Sequence, residues 1–114
     1  MANRPVNIDN DSVAGVFVYK VTDMVQGDTA GVQITQGVIT RATVYSYPSQ
    51  AGVYAVNIMY TPNGKAVRLS KVGQVTNLAP VIEVESLGRG FRLDAITVAG
   101  GIVDVFVVTT EGVS

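Results

Sequence analysis

The 114-residue chain has no cysteine, no histidine and no tryptophan. Without cysteine there is no disulfide framework, no thiol nucleophile and no thiolate zinc site. Without histidine, the usual general base near neutral pH and the commonest metal ligand are both missing. Charge is scarce as well: 15% of residues are charged, against about 25% in an average globular chain. The net charge is −1, with acids and bases interspersed, so there is no basic patch of the kind that binds nucleic acid. No apolar run approaches the roughly 18 residues that a membrane-spanning helix needs. An outer-membrane barrel calls for longer alternating strands bordered by aromatic girdles. The stretch Met1-Ala2-Asn3-Arg4-Pro5-Val6-Asn7 lacks the apolar core of a secretory signal, which leads us to expect synthesis in the cytoplasm.

In place of charge the chain carries apolar residues, 47% of the total, with a mean hydropathy of +0.33. Its length supports one hydrophobic core and is too short for two. Such a surplus is most simply hidden between subunits, so a dimer or trimer is expected.

The apolar residues alternate as in strands. Val13 to Val21 places Val16 and Val18 opposite Phe17 and Tyr19, and Val32 to Thr40 and Arg41 to Tyr47 follow. Pro48 to Gly52 reads as a loop. From Val53 to Val72 the pattern predicts a hairpin turning at Asn63-Gly64, because both residues tolerate positive φ. A two-residue loop there pairs Tyr60 with Val67 and Ile58 with Leu69. Gly73 to Pro80 reads as a connector, and Val81 to Leu87 alternates again. In Phe91, Leu93 and Ala95 followed by Ile96 and Val98 the apolar parity shifts, predicting a bulge near Asp94 or Ala95. The chain is expected to fold back at Gly100-Gly101 into a last hairpin, Phe91 to Thr110. In its return strand Val103, Val105 and Val107 form a wholly apolar set, while Asp104 interrupts the other. That strand is expected to be covered on both sides, by the domain's own second sheet and by another subunit.

No segment keeps a helical period over three turns. The fold class expected is all-β, an antiparallel β-sandwich or jelly roll of about eight short strands. Residues 13–114 form the domain, and residues 1–12 form a polar N-terminal arm. That arm is either a frayed terminus or an extension docking on a neighbouring subunit through Val6 and Ile8.

Motifs that carry chemistry are fragmentary. Glu83 and Glu85 would lie roughly 7 Å apart on one strand face, within the range of glycosidase carboxylates, but alternating Glu on a strand is ordinarily a solvated face. Asp9-Asn10-Asp11 lacks the third acid, central Gly and terminal Glu of a calcium loop. Arg89-Gly90-Phe91 echoes an RNA-recognition motif that Arg92 then breaks. Gly88 and Gly90 precede no Lys-Ser/Thr and no helix, so they make no phosphate loop. These readings point to no enzyme, no cofactor and no metal. Tyr45, Tyr47 and Tyr54 around the Pro48 loop form a candidate stacking platform for a sugar or peptide, with edge-of-core filling as the plain alternative.

The run Phe91-Arg92-Leu93-Asp94-Ala95-Ile96-Thr97-Val98, then Gly100-Gly101 and Val103-Asp104-Val105-Phe106-Val107-Val108, resembles the closing hairpin of the short all-β capsid decoration, or cement, proteins of tailed bacteriophages. Length, lack of cysteine and the polar arm are similar too. The resemblance covers about the last fifth of the chain and rests on no fixed motif. It implies an oligomer on the capsid surface that clamps the major capsid protein, and it carries over no individual residue; the interface candidates Arg4, Val6, Ile8, Val103, Val105 and Val107 come from the reading of the arm and the last strand. A carbohydrate- or peptide-binding β-sandwich module is the alternative.

Overall fold

A computed structural model describes residues 5–10, 15–33, 38–50, 52–60, 70–85, 87–88 and 90–112. Among them are nine strands: β1 (Asn7–Asn10), β2 (Val16–Met24), β3 (Thr29–Gln33), β4 (Val38–Pro48), β5 (Tyr54–Tyr60), β6 (Ser70–Thr76), β7 (Val81–Val84), β8 (Gly90–Val98) and β9 (Val103–Gly112). They build two antiparallel sheets, β1-β2-β9-β4-β7 and β3-β8-β5-β6. Four pairings, β2 with β9, β3 with β8, β4 with β7 and β5 with β6, nest inside one another. The chain from β2 to β9 is thus one long hairpin wound into two layers, the topology of a jelly roll.

Strand alternation fills the space between the layers. Tyr19 and Val21 of β2, Val103, Val105 and Val107 of β9 and Ala42 and Val44 of β4 point inward from the five-stranded sheet. They meet Ala30 and Val32 of β3, Phe91, Leu93 and Ala95 of β8, Val56 and Ile58 of β5 and Val75 of β6. The rings of Tyr19 and Phe91 meet edge to face across the layers, centroids 5.6 Å apart at 87°. Each fully buried Val, Leu or Ile stabilises the fold by about 1.5–3 kcal/mol relative to exposure.

The structure corrects several expectations. Val103, Val105 and Val107 are core residues, at most 1% exposed, so the wholly apolar set faces the chain's own second sheet and offers no surface to a partner. The outward set is Asp104, Phe106 and Val108, half-buried on the sheet. Asp104 serves a local purpose, since its Oδ1 accepts the Asp23 amide at 2.9 Å, where β2 bulges and Asp23 takes φ 62°.

The final segment is not a hairpin. β8 pairs with β3 and β5, whereas β9 pairs with β2 and β4, and Gly100 and Gly101, at φ 118° and 69°, carry the chain between sheets. The stretch 32–40 likewise divides between strands of different sheets. β5 and β6 do form a hairpin, but Tyr60 pairs with Ser70 and Ile58 with Gly73, not with Val67 and Leu69. Asn63-Gly64 lies outside the described residues. Gly73, read as connector, sits inside β6. The expected bulge falls one step on: Ala55 opposes Thr97 and Val56 opposes Ala95, leaving Ile96 as the extra, outward residue. The arm is neither frayed nor reaching outward over residues 7–10, which pair with β2 as the sheet's edge strand.

Candidate functional site

The outer faces of the two sheets differ in chemistry. On the four-stranded sheet, register aligns Thr29, Asp94, Asn57 and Gln74 across β3, β8, β5 and β6. Gln74 donates to Asn57 Oδ1 at 2.7 Å. Arg92 forks onto both oxygens of Asp94 at 2.7 and 2.8 Å. That hydrogen bond raises the guanidinium's pKa, partial burial opposes it, and the Asp94 charge adds to the rise. The row's amides and its ion pair bond one another, while Ile96 stands outward on the same face.

On the five-stranded sheet, register aligns Asn7, Lys20, Phe106, Tyr45 and Val81 in one row across β1, β2, β9, β4 and β7. Asp9, Val18, Val108, Thr43 and Glu83 form the next row. Tyr47, 53% exposed, leans on Phe106 with ring centroids 5.4 Å apart at 63°. Phe106, Tyr45 and Tyr47 make an aromatic strip bordered by Val18, Val108 and Val81, with Lys20, Thr43 and Glu83 dispersed among them and Arg41 and Asp104 on the same face.

Of the three tyrosines read from the sequence, two stand on this face and the third does not. Tyr54 is 2% exposed, and its hydroxyl bonds Ser46 Oγ at 2.7 Å beneath the sheet. An even step separates Tyr45 from Tyr47, which sets both outward. Tyr54 belongs to the other sheet and points into the core with Val56 and Ile58. Phe106 was the missed member. It shares parity with Asp104 on β9, and with the odd valines assigned inward it had to face out.

Val6 packs against the core rim, while Ile8 is 56% exposed on the edge strand. Arg4 lies outside the described residues, as does Asp11. Glu83 and Glu85 are both exposed and border a hollow of about 460 Å³ with Val72 and Val84. Glu85 lies beyond the end of β7, so the two do not share a regular strand face. Among the described residues no cluster of three or more His, Cys, Asp or Glu is placed to hold a metal ion.

No protein-family model and no curated protein matches this chain. Solved structures do match, among them the carbohydrate-binding module CsCBM6-3 from Clostridium stercorarium, determined with cellobiose, at 10% identity and a TM-score of 0.44. That match covers 94% of this chain and 82% of the module. At that level of similarity nothing about binding transfers. What stands is the class: an all-β sandwich of two antiparallel sheets.

Proposed function

We propose that the chain is a virion structural protein, a capsid decoration protein that acts by binding alone. Made in the host cytoplasm, it lies on the capsid surface with the outer face of its five-stranded sheet against the major capsid protein. The aromatic strip of Phe106, Tyr45 and Tyr47 carries this reading. An aromatic and apolar strip at the middle of a sheet face, edged by charged side chains, suits a protein partner with a polar rim. Capsid symmetry repeats the contact, so modest affinities sum by multivalency.

Co-sedimentation with heads assembled from the major capsid protein tests it. Thr43→Lys puts a long cation in the middle of the face, directly opposite Glu83, where the sheet tolerates an opposite-charge pair. Saturable binding by the native chain, weakened more than tenfold in Thr43→Lys at unchanged melting temperature, is expected. Equal binding by both proteins, or by neither, sinks the reading.

Tyr47 favours a second reading. Its exposed ring beside Phe106 offers a flat stacking surface of the kind sugars use. A glycan array would then give hits that Tyr47→Ala abolishes.

A further inference from the structure

Four connections gather at one end of the sandwich, through residues 25–28, 49–50 with 52–53, 77–80 and 99–102. Backbone and side-chain bonds tie them to their neighbours. Val98 donates to Gln26 Oε1 at 3.4 Å, Ser49 donates to the Ile102 carbonyl at 2.8 Å, and Ala99 donates to that of Val53 at 2.9 Å. The last three connections contain no charged residue, and the first contains only Asp28, which is buried. The chain has no charge at all over 42–64, 72–82 or 95–103. Among the described residues, most of the large exposed apolar side chains sit at or beside this end: Val25, Tyr47, Val53, Leu78, Val81 and Ile96. Scattered apolar residues on a surface need no explanation, but a concentration without charge does.

Leu78 stands out within it. It is 89% exposed, yet the turn that presents it is fixed. Thr76 and Ala79 exchange two backbone bonds at 3.1 Å, and Thr76 Oγ1 accepts the amides of Leu78 and Ala79 at 3.2 and 3.1 Å. On the far side, the Pro80 carbonyl accepts both the amide and the hydroxyl of Ser46, at 2.9 and 2.8 Å. A leucine on a turn whose backbone is already fixed is a pre-organised anchor, because little backbone freedom is left to lose on docking. Beside it lies a hollow of about 420 Å³ lined by Pro48, Gly52, Tyr54, Asn77 and Pro80. Two of those residues, Asn77 and Pro80, flank Leu78 in sequence.

We propose that this end is a self-association surface, on which a second copy of the chain seats Leu78 in the hollow while receiving the first copy's Leu78 in its own. Knob and hollow are adjacent in one patch, so a two-fold axis beside the turn satisfies both at once. The four connections carry no exposed charge, Asp23 and Asp104 lying just behind them on β2 and β9, so the connections themselves present no like-charge repulsion to a second copy. The size fits as well. The molecule measures 40 × 32 × 22 Å, and the long dimension follows the strands, since the 11 residues of β4 span roughly 36 Å. The remaining 32 by 22 Å end offers about 700 Å² in projection, close to the roughly 800 Å² that a stable interface covers on each partner. The association does not depend on what the outer sheet face binds.

Light scattering on a sizing column across a hundredfold dilution tests it, with native chain, Leu78→Asp, Val53→Lys and Ile8→Asp compared. The native chain and Ile8→Asp are expected to pass from dimer to monomer over the same concentrations. Leu78→Asp and Val53→Lys should need at least tenfold more protein to associate, at native melting temperature. A native chain that is monomeric throughout overturns the proposal, as does a Leu78→Asp curve superimposed on the native one. So does dissociation by Ile8→Asp alone, which would move the contact to the edge strand. Should Leu78→Asp fail to fold, Val53→Lys decides by the same criterion.

Discussion

The Tyr54 hydroxyl donates to Ser46 Oγ at 2.7 Å in the interior. The direction follows because Ser46 uses its single proton on the Pro80 carbonyl at 2.8 Å. One relay thus joins β5, β4 and the turn before β7. Tyr54→Phe removes a donor and leaves the Ser46–Pro80 bond in place, at a cost of about 1 kcal/mol. Ser46→Ala strands the buried Tyr54 hydroxyl and removes one bond to Pro80, costing about 2 kcal/mol or more. In urea denaturation the double variant is expected to lose less than the sum of the two. Strict additivity would show that the residues do not act as a unit.

Val105 is fully buried at the centre of β9. Val105→Asp places an unpaired carboxylate between the sheets and is expected to cost on the order of 3–5 kcal/mol, unfolding much of the population. Circular dichroism during heating reads this directly. A native melting curve would mean that β9 does not lie between the two sheets.

Much of this architecture was legible in side-chain alternation, because inward and outward positions along Tyr54 to Ile58 and Val103 to Val107 follow strand geometry alone. What alternation cannot say is which strands share a sheet. Gly100-Gly101 marks a reversal, but the same glycines serve an arch between sheets as well as a hairpin. The β5–β6 register failed for a related reason. Local matching favoured Ile58 against Leu69, whereas the fold sets Ile58 against Gly73. There the missing side chain is replaced from the other layer, since a Cβ on Gly73 would lie 2.7 Å from Ile82 Cδ1. A glycine that looked like a connector is room for a distant isoleucine. The aromatic strip was half legible: even spacing joins Tyr45 to Tyr47, but Phe106 arrives through a pairing some sixty residues away. The signal for the Leu78 end was the three uncharged stretches, whose convergence only the winding of the chain reveals.

Two glycines are expected to respond oppositely to alanine. Gly101 sits at φ 69°, and a Cβ there would collide with Ser49 Oγ, which accepts the Ile102 amide at 2.9 Å. Gly101→Ala combines left-handed strain with a displaced hydrogen bond and is expected to lower stability by about 2 kcal/mol. Gly31 lies on the exposed face of β3 with open space around its Cα and no positive φ. Gly31→Ala is expected to raise stability by about 0.4–1 kcal/mol by restricting the unfolded chain. Chemical denaturation of both variants checks the pair, and equal changes would contradict the geometry.

Deleting residues 2–12 removes β1, the edge of the five-stranded sheet, together with Val6 at the rim of the core. The remaining pairings of β2 with β9 are untouched. The truncated chain is expected to stay folded with a melting temperature lowered by a few degrees, as a loss of roughly 1 kcal/mol gives in a domain of this size. Complete unfolding would make β1 indispensable to the fold.

The nesting of the four strand pairs sets a timetable for the newborn chain. Val21 finds its partner in Val105, 84 residues later, and at roughly 5–20 residues per second a ribosome delivers that partner roughly 4–17 s afterwards. Until then β2 has only β1 beside it and nothing over its inward face, and besides that pair only the innermost one, β5 with β6, can close early. The outermost layer is the last to zip. A cell producing many copies at once therefore holds a crowd of half-wound chains with bare strand edges, and its yield of native protein is governed by how well those edges are kept apart.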